Sequence, residues 1–242
     1  MDSMELVRTA CPKIADLGSA FYFQPETVAK GKELGLDGFR FYFLGRGGVL
    51  GDVEPRVVQA AFGYFEPGLI AKIWTSAKER MAPRDAARAY LGCAHEFGRR
   101  TFADIEGLDG FCAAAEAVSD AVNVAGLPLY AGISSEPLAD DAPARAMQLT
   151  AVLREYRGSV HLLALRSKGL DDRVAHAIKR PDDVATFGWP EPPTITDDDR
   201  AKHAAAEELT DELVLGAYGV LDDGGATSLL AGLEAMEAAA AG

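Results

Sequence analysis

Two short segments concentrate the side chains that could bind a ligand. The first, residues 39–48 (FRFYFLGRGG), combines aromatic rings with Arg40, Tyr42 and Arg46 before a glycine-rich turn. An arginine beside aromatic rings can hold a carboxylate or stack on a planar ligand, so this segment is a candidate pocket wall. The alternative is a core helix in which Arg46 pairs with an acid from the other half of the chain.

The second segment, residues 153–161 (LREYRGSVH), is the densest polar cluster in an otherwise apolar stretch. On a helix, Arg154, Arg157 and His161 would share a face, although Gly158 could end the helix between them. Two cations and an imidazole suit anion binding or proton transfer. An ion-pair network between the two halves of the chain, involving the neighbouring glutamate, is the alternative.

Two of the four histidines carry opposite expectations. We expect His161 to lie in the interior with at least one ring nitrogen hydrogen-bonded, because a buried imidazole without a partner is costly. His203 lies in an alanine-rich polar segment, and we expect its replacement to affect neither stability nor ligand binding.

Motifs for metals, nucleotides and nucleophilic catalysis are missing. Neither HExxH nor paired CxxC accompanies Cys93 and His95, no GxSxG is present, and residues 45–48 lack the Lys-Ser/Thr ending of a phosphate loop. The three cysteines have no paired spacing, as is typical of free thiols in a reducing compartment. The sequence therefore predicts no metal site, leaves any cofactor unknown and favours a cytoplasmic protein.

Composition narrows the classes of partner. The 242 residues include 24 Lys and Arg against 37 Asp and Glu, a formal net charge of −13, which disfavours binding to nucleic acid. No apolar run approaches the ~18 residues of a membrane span. The expected partner is a small apolar or anionic ligand.

An internal repeat divides the chain. Gly38 aligns with Gly158 and Arg46 with Arg166 at an offset of 120, and FGYFEP (62–67) aligns with FGWPEP (187–192) at an offset of 125. We read this as a duplication with halves at 1–125 and 126–242. Duplicated halves can cover each other's apolar faces, so we expect a monomer or a weak homodimer.

Helical periodicity dominates the elements that would position these residues. Prolines at 55, 67 and 83 predict helix starts, and residues 62–66 form the turn of a candidate helix-turn-helix. Little β structure is expected, with Leu127 to Ile133 extended or in a loop. Further helices are predicted over 110–125, 142–156, 196–214 and 228–241.

Four motifs in order resemble those of an actinobacterial family of largely uncharacterised helix-turn-helix proteins often found near secondary-metabolism genes. They lie at residues 43–51, 62–67, 153–161 and 206–211. Departures include Val49 for a proline, and Tyr64 and Glu66 where the family has Asn and His. The resemblance implies a mainly α fold of tandem winged-helix-like halves, and no known reaction.

These observations favour a small-molecule-binding protein without identified catalysis, with Arg40, Tyr42, Tyr64 and Arg154 lining the site and Arg46, Arg157 and His161 as polar anchors. One alternative is a winged-helix transcriptional regulator. The segment that would read DNA, residues 67–80, offers only three cations and is predicted to be buried. A second alternative is an enzyme of specialised metabolism that uses His161 as an acid or base.

Overall fold

Prolines in the first turn begin half of the helices in the computed structural model, which describes residues 2–241. Proline suits this position because its fixed φ is helical and its missing N–H would have no partner there. The helices are α1 (Ser3–Leu17), α2 (Pro25–Glu33), α3 (Phe39–Gly47), α4 (Pro55–Phe62), α5 (Pro67–Lys78), α6 (Pro83–Thr101), α7 (Leu108–Asp120), α8 (Pro128–Ser134), α9 (Ala142–Ser167), α10 (Asp172–Lys179), α11 (Asp197–Tyr218) and α12 (Asp223–Ala241).

The mainly α fold class is confirmed. No strand occurs in residues 2–241, so neither half contains, in that range, the β-hairpin that makes a helix-turn-helix winged. The segment 127–133, expected to be extended or a loop, instead forms α8, with Pro128 in its first turn. None of the described helices is long and apolar enough to cross a membrane.

Helix α9 lies at the centre of the molecule. It packs against α1, α6, α7, α8 and α11, and buried residues occur on every side of it, as expected for a helix surrounded by others. Contrary to the expected interruption, α9 continues through Gly158. A single interior glycine costs a helix only ~1 kcal/mol, which packing of the flanking turns exceeds.

The predicted helix-turn-helix pair is present as α4 and α5, joined by residues 63–66. The segment 187–192, which aligns with the turn motif 62–67, packs directly on that motif. The rings of Phe65 and Phe187 stack at 4.0 Å, and the indole Nε1 of Trp189 donates to the carbonyl of Tyr64 at 2.7 Å. One hydrophobic core contains residues from both sides of position 125, and the division into two halves stays a prediction.

Close packing of α6 on α9 gives a test of the fold. A Cβ at Gly98 would lie 2.3 Å from the carbonyl oxygen of Pro143, whereas a Cβ at Gly92, on the same helix, would meet nothing within 4 Å. We expect Gly98→Ala to lower the free energy of unfolding by ~1–3 kcal/mol. Gly92→Ala should be neutral or raise it by about 0.5–1 kcal/mol. Urea unfolding of both variants checks this, and equal effects would contradict the packing.

Candidate functional site

Five of the seven residues singled out by the sequence lie in two polar clusters on α9. We call the first the Glu155 cluster; it comprises Tyr22, Tyr42, Arg46, Arg154 and Glu155. We call the second the Glu207 cluster; it comprises Arg157, His161, His203, Glu207, Thr210 and Asp211. Of the other two, Tyr64 lies in the turn between α4 and α5, and Arg40 lies apart at the surface, where its guanidinium binds Asp37 and the hydroxyl of Ser76.

A buried carboxylate organises the Glu155 cluster. Arg46 of α3 donates two parallel hydrogen bonds to Glu155, from Nε to Oε1 and from Nη2 to Oε2, both at 2.8 Å. Arg154 Nη1 and the hydroxyl of Tyr22 each donate to Oε1 at 3.0 Å. The cluster therefore holds two positive charges and one negative charge, and all three charged groups are largely removed from water.

Aromatic rings complete the enclosure of Arg46. Its Nη1 donates to the Tyr42 hydroxyl at 3.0 Å, and its guanidinium carbon lies 4.4 Å from the centre of the Phe62 ring. A cavity of about 30 Å³ remains beside Tyr90, whose buried hydroxyl has no protein partner. That volume suits a single water molecule and is too small for an organic ligand. The interpretation of Arg46 as the partner of an acid from the other half is the one the geometry supports.

Electrostatics hold Glu155 in its charged form. Burial alone would raise its pKa, but the charge and hydrogen bonds of Arg46, together with Arg154, lower the pKa to about 2. Glu155 therefore carries a negative charge throughout the physiological range.

The Glu207 cluster joins α9 to α11. Arg157 Nη2 donates to Glu207 Oε2 at 2.9 Å and to Asp211 Oδ1 at 3.1 Å. His161 lies 2.9 Å through Nδ1 from Thr210 Oγ1, and its Nε2 faces Glu207 Oε1 at 3.9 Å. The expectation that His161 is interior and hydrogen-bonded is confirmed, since its exposure is 8%.

His161 is a neutral imidazole at pH 7. Burial, together with the positive charges of Arg157 and Lys179, lowers its pKa to about 4, and Glu207 only partly opposes them.

His203, which the sequence did not place in any site, is part of this cluster, and the expectation that its replacement has no effect stays a prediction. Its ring centre lies 6.1 Å from that of His161, and its Nε2 lies 3.9 Å from Glu207 Oε1. Among residues 2–241, His161, His203 and Glu207 form the group whose ligand atoms all lie within 4.8 Å and could hold a metal ion. The i, i+4 spacing of His203 and Glu207 on α11 is the signal that could have found it.

Tyr64 lies in the turn between α4 and α5 and has a structural role there. Its φ of 52° is unusual for a residue other than glycine, and its backbone N–H is held by Asp172 Oδ2 at 3.1 Å. Its ring lies 5.9 Å from that of His176. Burial, followed by the charges of Glu207 and Asp172, raises the pKa of its hydroxyl.

The depressed pKa of Glu155 predicts a pH-dependent contribution to stability. The contribution is complete above pH 4.5, the ordinary value, and is lost as pH falls through the folded value of about 2. At pH 7, Glu155→Gln should lower the free energy of unfolding by ~3–5 kcal/mol, because it leaves buried arginines unpaired. The difference from wild type should shrink as the pH approaches 2.

Urea unfolding at several pH values measures this difference. Glu96→Gln, at an exposed carboxylate on α6, is the control and should show little effect at any pH. A Glu155→Gln deficit that stays constant down to pH 2 would contradict the assigned ion pair.

Comparison with known proteins places the chain in a family without supplying a reaction. No curated protein and no solved structure matches it. A family model described as "Helix-turn-helix family" matches residues 7–242, nearly the entire chain. The helix pair α4–α5 and this match agree, and the chain belongs to that helix-turn-helix family.

Proposed function

We propose that the protein binds a small amphipathic organic anion in a groove between the helix-turn-helix pair and the C-terminal part of α9. The observation that carries the proposal is the size of this groove, about 760 Å³, within the range of small-molecule sites. Its position differs from that expected from the sequence, because none of the seven predicted residues lines it.

The groove pairs an apolar wall with a cation. Ala60, Ala71 and Leu162 contribute apolar surface, and Leu163 is 45% exposed, which is unusual for a leucine on a central helix. Apolar surface left open in a concave site is typical of ligand binding.

Arg56 is the anchor we assign for the anionic group. Arg166 also lines the groove, but Asp172 already engages it at 3.3 Å. Arg56 is exposed and forms no ion pair with any described residue. A guanidinium at the rim of an apolar groove suits a carboxylate or sulfonate on an apolar body.

The fluorescent probe 1-anilinonaphthalene-8-sulfonate combines an apolar ring system with a sulfonate and tests the groove directly. We expect saturable fluorescence enhancement, weakened roughly tenfold by Leu163→Asp and severalfold by Arg56→Gln. Leu213→Asp is the matched control, because Leu213 is similarly exposed but lies on α11 outside the groove. Binding that Leu163→Asp leaves unchanged would remove the groove as the site.

DNA binding is a second candidate, favoured by family membership and by the α4–α5 pair. The charge of the helix-turn-helix segment opposes DNA binding. Residues 52–80 contain four cations and four acids, and Lys78 is already paired with Asp52. The exposed side of α5 presents Lys72 as its cation.

A titration with a duplex fragment from upstream of the protein's own gene separates the two candidates. We expect no saturable binding at about 50 mM salt, because the surface lacks the several phosphate contacts that give a steep salt dependence. Tight binding that falls steeply with added salt would favour the regulator and contradict our assignment.

A further inference from the structure

We propose that His161, His203 and Glu207 form a binding site for a divalent transition-metal ion, with zinc as the ion their chemistry suits best. The site lies where α9 meets α11, and it is separate from the residues that line the groove. Two imidazole nitrogens and one carboxylate oxygen converge there within 4.8 Å of one another. This donor set occurs in zinc sites that keep a position open and in two-histidine, one-carboxylate sites for other first-row metals.

The hydrogen bonds of Thr210 fix the tautomer of His161. The Thr210 hydroxyl has one proton, and it donates that proton to the carbonyl of Ala206 at 2.7 Å. It must therefore accept from His161, whose Nδ1 carries the proton of the 2.9 Å bond. The neutral imidazole then presents a lone pair at Nε2, and this is the form that ligates a metal.

That lone pair points toward negative charge. His161 Nε2 and His203 Nε2 each lie 3.9 Å from the same oxygen of Glu207, Oε1. In the neutral form of His161, the lone pair of Nε2 and the carboxylate oxygen face each other, and a cation placed between them would be attracted to both. Arg157 binds the other oxygen of Glu207, Oε2. Oε1 therefore keeps its lone pairs for a metal ion.

Supporting contacts resemble the outer shell of a metal site. A hydroxyl orients one imidazole through its distal nitrogen, and an arginine orients the carboxylate through its second oxygen. Such partners fix the direction of the ligands before the metal arrives.

Modest movement brings the ligands to bonding distance. Zinc bonds of ~2.0–2.2 Å at tetrahedral angles separate ligand atoms by roughly 3.3–3.6 Å. The two contacts of Glu207 at 3.9 Å must close by a few tenths of an ångström. The imidazole nitrogens lie within 4.8 Å of each other, and any closure between them can come from His203, because its helix face is partly open to solvent.

Lys179 is the competing cation. Its ammonium lies 3.7 Å from Glu207 Oε1, but its side chain is 62% exposed and can move into solvent. Lysine and metal would therefore compete for one carboxylate oxygen, and removing the ammonium should strengthen metal binding.

Zinc titration of the full-length protein against a chromophoric chelator tests the site, with cobalt absorption as a second readout. We expect one ion per chain and visible bands typical of nitrogen- and oxygen-ligated Co²⁺ in a four- or five-coordinate site. His203→Ala and Glu207→Gln should each weaken binding by at least about 100-fold, more than loss of an outer-shell partner does. Both positions are partly exposed, and unchanged thermal unfolding would show that the variants fold.

Three further variants make the test specific. His95→Gln, at a histidine of α6 outside the cluster, should retain binding. Thr210→Val should weaken metal binding roughly 10–100-fold, whereas Thr210→Ser should retain it. Serine preserves the hydroxyl oxygen that accepts the hydrogen bond from His161, and valine does not. Lys179→Ala should strengthen metal binding.

Two results would overturn the proposal. One is a folded wild-type chain that binds neither zinc nor cobalt at micromolar concentrations. The other is binding that survives both His203→Ala and Glu207→Gln, which would place the metal elsewhere. Neither result bears on the groove, because the probe there is an organic anion and the groove variants lie outside this cluster.

Discussion

A buried carboxylate has to be paired, and the pairing of Glu155 is the interaction on which the arrangement of the helices depends. Removing a carboxylate from water costs several kcal/mol, which is offset only by well-directed cations. Arg46 supplies two parallel hydrogen bonds from α3, and Arg154 supplies a third from α9 itself. Tyr22 adds a fourth from the segment after α1. These bonds fix α3 and the α1–α2 connection against the central helix.

The two clusters on α9 differ in how completely their carboxylates are satisfied. Both oxygens of Glu155 accept hydrogen bonds of 2.8–3.0 Å, and the surrounding rings leave room for about one water molecule. Glu207 has one oxygen fixed by Arg157, while the nitrogen atoms of His161, Lys179 and His203 lie 3.7–3.9 Å from its other oxygen. The first arrangement is that of a structural ion pair, and the second leaves coordination capacity for a ligand.

Local signals predicted much of the fold and part of the candidate site. The prolines located the starts of α4, α5 and α6, and the pattern around Arg46 allowed an acid partner from the distant half. The possible helix end at Gly158 was wrong, because the small cost of a glycine to helix stability does not reveal how tightly the neighbouring turns pack. His203 was missed because its role depends on α11 lying against α9, a tertiary contact that no single segment encodes.

The helix-turn-helix pair, α4 and α5, packs against other parts of the chain at the end that reads DNA in other proteins. In proteins that read DNA with this motif, the N-terminal residues of the second helix contact base edges in the major groove. Here the N-terminus of α5 is capped by the carboxylate of Glu66, which accepts from the N–H of Leu69 at 2.7 Å. Gly188 packs so closely over it that an added Cβ would lie 2.8 Å from Leu69 Cδ2.

A negative charge and a covering segment thus occupy the end of α5 that would approach phosphates. One side of the pair that stays open faces the exposed Leu163 across the groove. An apolar concave surface cannot track a nucleic-acid backbone, but it can enclose a small molecule. The packing of residues 187–192 on the turn between α4 and α5 therefore covers the N-terminal end of α5 and leaves the groove beside it open.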